Sequence, residues 1–179
     1  AAQVLRSNRL KKPLVVIGSG AEEWKDSIVR SLEESDFTYV LWEDLPPRPS
    51  EEDVDALRLT WIREVCDCFV VLGDGAAIDC VKAASLRAAC RGRTLSQLAA
   101  GEVNRRKLPS VAAIPIVPGS GAEALSWAGV PDKNGRLLVL DLDGKVQFDS
   151  LNAFCGQRLH KDGNGDPRPR PPHKQRTFR

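Results

Sequence analysis

The sequence predicts an α/β fold: a doubly wound, mostly parallel sheet with a C-terminal β-hairpin and an extended tail. Three observations predict it. Short apolar runs recur along the first two-thirds of the chain, each of strand length and bounded by turn residues. The stretches between them carry apolar residues at helical spacing. The run "CFVVL" (Cys68–Leu72) is apolar at every position, as a strand must be when helices cover both faces of a parallel sheet.

The elements follow in order. Leu14–Ile17, in "PLVVIGSG", is the first strand, stopped by glycines. "AEEWKDSIVRSLEES" follows as a helix, with Trp24, Ile28, Val29 and Leu32 on one face and Glu22 and Glu23 at its positive end. Phe37–Trp42 is β-branched and aromatic, hence the second strand. "EDLPPRPS" is a loop, because prolines at 46, 47 and 49 sustain neither regular structure. Ser50 is an N-cap for the next helix, with Val54, Leu57, Trp61 and Val65 lining one face. The third strand is Cys68–Leu72, followed by a helix from about Ala76 to Ala89; the fourth strand is Ser110–Pro118. "LLVLDLDGKVQF" reads as a hairpin about Asp143-Gly144. Strand–helix alternation with short connections gives a Rossmann-like sheet with right-handed crossovers. The chain divides into an N-terminal extension (1–12), expected to be frayed and solvated, an α/β domain (13–150), and a Pro/Gly-rich basic tail (151–179).

Composition narrows the function classes. At 42% hydrophobic residues the chain can build a globular core, and no run reaches the roughly 18 apolar residues of a membrane span. The five cysteines, Cys66, Cys68, Cys80, Cys90 and Cys155, are odd in number and lack C-x-x-C pairs, which points to buried reduced thiols in a cytoplasmic or organellar matrix compartment, a mitochondrial one included. The only histidines, His160 and His173, lie near the C-terminus and supply no internal histidine-based site. Residues 161–179 hold six basic and two acidic residues, so that segment is +4 against a net charge of +2 for the whole chain. Only the tail is basic, and it suits an RNA or an acidic protein surface.

Three glycine-bearing turns follow strands one, three and four: "GSGAEE", "GDGAAID" and "PGSGAE". In open α/β sheets ligands gather beyond the C-terminal strand ends. A diphosphate there is held by main-chain N–H groups and a helix N-terminus, and a Cβ would keep it away. Asp74 opposes this use, because it puts a carboxylate where the anion would sit unless it points away.

Three segments carry a resemblance. "CFVVLGDGAAIDCVKAAS" resembles the G-G-G-S-x-x-D-x-x-K segment of the iron-containing alcohol dehydrogenases, "LPSVAAIPIVPGSGAE" resembles their I-P-T-T-x-G-T-G-S-E, and "LWEDLPPRPSEEDVDA" their F-D-x-V-x-P-N-P-T segment. Order and spacing match over about Lys12–Arg136. The resemblance implies a dinucleotide site with NAD as cofactor: Gly73, Asp74, Gly75 and Ala76 at the pyrophosphate, Asp79 and Lys82 on the following helix, Pro115, Gly119, Ser120 and Gly121 in the second cofactor segment, and Glu43 near the adenosine ribose, favouring NAD over NADP.

The departures are specific. Ile116 and Val117 replace two threonines, Ala76 replaces a serine, Ala122 stands where the family has another hydroxyl, and Asp74 adds a charge. Each lost hydroxyl removes a hydrogen-bonding group worth about 0.5–1.5 kcal/mol. The family's second, helical half supplies an aspartate and three histidines to a divalent metal, beginning with D-x-x-x-H, and that pattern does not occur here, so no metal and no catalytic residue are expected. Three readings stay open. The first is a non-catalytic accessory subunit of a larger protein assembly, with NAD binding weak or lost. The second is the NAD-binding portion of an active oxidoreductase whose catalytic domain lies elsewhere. The third is nucleotide binding without turnover.

Overall fold

The computed structural model describes residues 1–101, 107–117 and 119–142. A short helix α1 (Ala2–Ser7) precedes β1 (Pro13–Ile17), α2 (Glu22–Glu33), β2 (Val40–Trp42), α3 (Glu51–Arg63), β3 (Cys68–Gly73), α4 (Gly75–Ala89), α5 (Leu95–Ala99) and β4 (Ser110–Pro115). A 3₁₀ turn (Ala122–Ala124) leads into β5 (Trp127–Pro131) and β6 (Leu137–Asp141). Four strands form one parallel sheet in the order β2-β1-β3-β4.

Alternate residues of each strand feed two cores. Leu14, Val16, Phe69, Val71, Val111 and Ala113 pack with α3, α4, α5 and the hairpin. Val15, Ile17, Cys68, Val70, Leu72, Ala112 and Ile114 pack against α1 and α2. The sheet is therefore wound on both sides, and the direction in which strands are added reverses between β1 and β3, although the two strands run parallel. That adjacency is the topological switch point, where an open α/β sheet leaves a crevice.

Local chemistry explains the element ends. Ser50 caps α3 by accepting from the Glu52 N–H, while Asp53 accepts from the Ser50 N–H at 2.7 Å, a reciprocal box. α3 closes with the Val65 N–H on Ile62 O and the Cys66 N–H on Trp61 O, the paired bonds of a left-handed C-terminal cap. Val65 provides the left-handed residue at φ +54°.

Several expectations are corrected. The N-terminus is not frayed, since Ala2 and Leu5 of α1 are buried in the second core. The second strand is shorter than Phe37–Trp42, because the Phe37 N–H is taken by Leu32 O in closing α2 and pairing with β1 begins only at Val40. The fourth strand stops at Pro115 rather than Pro118; after the Ile116 N–H reaches Gly73 O, the chain turns away. Val65 does not line the core face of α3 and is 78% exposed, since it lies beyond the last helical turn. The strand containing Leu137–Asp141 pairs with Trp127–Pro131, an apolar segment that precedes it, through a turn at 132–136. The Asp143-Gly144 turn, both histidines, Cys155 and the basic tail lie outside the described residues. Cys66, Cys68, Cys80 and Cys90 are buried, and burial pushes the thiols of Cys66, Cys68 and Cys80 upward, away from reactivity. Among the described residues no helix is long and apolar enough to cross a membrane.

Candidate functional site

The three glycine turns meet at the C-terminal edge of the sheet. β1 and β3 are paired through Ile17 and Leu72, and the Gly18 N–H continues that ladder to Leu72 O at 2.7 Å. Here the two strand ends and α4 are in contact through small residues. A Cβ on Gly18 would lie 2.8 Å from the Ala77 Cβ, and one on Gly73 would lie 2.7 Å from the same atom. Real Cβ atoms do not approach so closely, so both positions require glycine and Ala77 must stay small. Gly18 was legible as a turn residue after the first strand, but its pairing with Gly73 and Ala77 depends on a strand order the sequence does not show.

The third turn closes on the second. A Cβ on Gly75 would be 2.9 Å from the Ser120 Cβ. Gly20, Gly119 and Gly121 have φ of +81°, +111° and +64°. Open space surrounds the Cβ positions of Gly119 and Gly121, so the backbone there lies bare to a ligand. The structure thus brings Gly73, Asp74, Gly75, Ala76, Pro115, Gly119, Ser120 and Gly121 to one edge, with Pro115 paired to Gly73.

Asp74 is the N-cap of α4. Its Oδ1 accepts from the Ala77 N–H at 3.0 Å, with φ −81° and ψ −175°. The side chain therefore folds back onto the helix instead of projecting across the crevice, but its charge stays at the helix's positive end. Of the first-turn donors, Ala77 is used by this cap and Ile78 by Asp74 O, which leaves the N–H groups of Gly75 and Ala76 with no partner inside the helix. The first turn is acidic too: Glu22 accepts from the Gly20 N–H at 3.1 Å.

Glu43 immediately follows β2, across the switch point from Ser120, and its Oε1 accepts from Lys25 Nζ at 2.8 Å on the exposed rim. Asp79 and Lys82 do not reach this edge as free groups. Asp79 Oδ2 accepts from the Gly129 N–H at 3.0 Å and its Oδ1 lies 3.4 Å from Lys82 Nζ. Lys82 is fully buried and donates to Ala122 O at 3.0 Å and to Trp127 O. Burial raises the carboxyl pKa of Asp79 and lowers the ammonium pKa of Lys82, since each charge has lost water. Trp127, at the start of the hairpin, is 43% exposed.

Among the described residues no group of three or more His, Cys, Asp or Glu side chains is placed to hold a metal ion. A dinucleotide fits the edge in most respects. Gly75 and Ala76 offer N–H donors at a helix N-terminus, Ser120 Oγ is adjacent, and the glycines admit close approach. Asp74 is the misfit, as a charge next to those donors.

Comparison with known proteins identifies the family and the fold. A family model described as "Iron-containing alcohol dehydrogenase" matches residues 1–141. The chain is 29% identical over 181 residues to the 1,3-propanediol dehydrogenase of Klebsiella pneumoniae, covering 86% of this chain and 46% of that protein. Among solved structures it is similar to a 1,3-propanediol oxidoreductase, with a TM-score of 0.74 at 22% identity, covering 83% of this chain and 40% of that one. It is also similar to the sulfoacetaldehyde reductase of Bifidobacterium kashiwanohense, solved in complex with NAD+, with a TM-score of 0.70 at 22% identity over 81% of this chain and 39% of that one. The chain therefore spans less than half the length of these relatives.

Proposed function

Because this chain belongs to the iron-containing alcohol dehydrogenase family, we propose that it is a coenzyme-binding α/β unit that holds NAD across the switch point of its sheet. The observation that carries this reading is the convergence of Gly75 and Ser120 over the N-terminus of α4. The diphosphate lies against the Gly75 and Ala76 N–H groups, the adenosine ribose near Glu43, and the nicotinamide on the β4 side beside Gly119–Gly121. When bound, NAD supplies hydride-transfer chemistry; these residues bind and orient it. Binding is weak, because Asp74 sits near the diphosphate and Ala76, Ile116 and Val117 offer no hydroxyls. The solved reductase that carries NAD+ shares this fold, which supports the choice of coenzyme.

A second reading is a non-catalytic accessory subunit in a larger assembly, its basic tail contacting an acidic protein or RNA. Asp74 and the apolar Ile116 and Val117 favour it, since all three work against a coenzyme site. Calorimetric titration of the 179-residue chain with NAD and with NADP separates the two. The coenzyme reading expects saturable one-to-one binding of NAD, with NADP weaker because Glu43 repels its 2′-phosphate. No saturation by either nucleotide up to millimolar concentration would overturn it and leave the accessory reading.

A further inference from the structure

We propose that the buried Asp79–Lys82 pair is a positioning latch: it fixes the Gly119–Gly121 turn against the N-terminus of α4 and so sets how tightly the nicotinamide side of the coenzyme is held. The proposal rests on the coenzyme reading above. Lysine is rarely fully buried unless it is paired, and Lys82 is paired with the Asp79 carboxylate and with main-chain oxygens from two sides of one loop. Ala122 O stands at the start of the 3₁₀ turn and Trp127 O at the start of β5. Asp79, one turn earlier on α4, adds the Gly129 N–H of β5. One ion pair thus ties three main-chain groups between Ala122 and Gly129 to a single helix. Glu123 adds negative charge beside Lys82, and its Oε2 is buried with no hydrogen-bond partner among the described residues.

The link to the site is short. Ser120 precedes Ala122 by two residues, its Oγ accepts from the Ala122 N–H at 3.4 Å, and its Cβ takes the space beside Gly75. The hairpin end of the loop has a second tether, the Leu142 N–H on Ser126 O at 2.8 Å. The glycine end has the Gly121 O bond to the Ala124 N–H, which is internal to the turn and does not join it to α4. Among the described residues, Lys82 is therefore a hydrogen-bonding link from the residue that follows that turn to α4. Its bonds to the loop go to main-chain oxygens, and its countercharge is Asp79 on its own helix, so it acts through the turn's position and not through contact with the ligand.

The test compares wild type with Lys82→Met and Asp79→Asn in the full chain. Asn at 79 still accepts from Gly129 but withdraws the countercharge, and it is the variant to rely on should Lys82→Met fail to fold. NAD and AMP affinities are measured by calorimetry, and amide exchange is followed by NMR. Lys82→Met should weaken NAD about tenfold and AMP less than twofold, because AMP engages the Glu43 side and the α4 N-terminus. Exchange at Ala124 and Gly129 should accelerate at least tenfold while Val15 and Val70 keep their protection, and Asp79→Asn should weaken NAD in the same direction by less. Equal NAD affinity in wild type and the folded variants, or equal losses for NAD and AMP, would overturn the latch alone. Absence of NAD binding in wild type would overturn the coenzyme reading and the latch with it.

Discussion

Replacing Asp74 with asparagine separates two roles that one carboxylate now combines. The amide oxygen of asparagine keeps the cap on the Ala77 N–H, made at 3.0 Å in the native chain, since Asn and Asp are equivalent N-caps. What is lost is a unit of negative charge at the start of a 15-residue helix. Loss of its attraction to the helix dipole costs about 0.3–1 kcal/mol of stability. A diphosphate bonded to the next two N–H groups would sit roughly 5 Å from that charge. Coulomb's law gives a repulsion of about 0.8 kcal/mol at the dielectric of water and about 3 kcal/mol at an effective 20. Asp74 is partly exposed, so we take about 1–1.5 kcal/mol, which corresponds to NAD binding roughly five- to tenfold tighter in Asp74→Asn. Stability and affinity then move in opposite directions, which a general loosening of the fold cannot produce. Urea unfolding reads the first and calorimetry with NAD the second. If NAD affinity is unchanged or falls together with stability, no anion lies on these N–H groups, and the cradle is a chain reversal only.

Other residues yield further expectations. Val65→Gly should raise stability by about 0.5–1 kcal/mol, seen as a Tm a few degrees higher, because a β-branched residue holds φ +54° while 78% exposed. Gly73→Ala should lower the urea midpoint by the equivalent of about 1–3 kcal/mol with an unchanged m-value, since the new methyl would meet Ala77 Cβ at 2.7 Å. Glu43→Gln should raise NADP affinity relative to NAD several-fold in paired titrations, because it removes a negative charge from the ribose end and frees Lys25. For Asp79 the sign follows from burial: its folded pKa lies above the unfolded one, so its contribution to stability is full below about pH 3.8 and declines as pH rises through the raised value. The stability of wild type relative to Asp79→Asn should therefore fall between acid and neutral pH, and a rise in chemical-denaturation profiles would refute that assignment.

The legible part of the site was its chain-local part. Glycines after three strands, an acidic residue after the second strand and a capping serine at 50 all act within a few residues of their own position. Asp79 and Lys82 were read by resemblance as residues of the cofactor helix, and nothing nearby in sequence showed that their partners are main-chain groups of Ala122, Trp127 and Gly129. The direction of the Asp74 side chain was equally open, because capping α4 and facing the crevice begin from the same backbone.

By itself the sequence determined the class of fold, because apolar periodicity and glycine punctuation record how each segment buries its own side chains. It also determined that the turn after Leu72 would have small residues, but not why. The tertiary structure decided that Gly18, Gly73 and Ala77 share one point of contact, that Ser120 closes over Gly75, and that the hairpin partner of Leu137–Asp141 precedes it in the chain. Those facts depend on strand order and register, which arise from packing between segments up to about a hundred residues apart, and no local pattern encodes such distances.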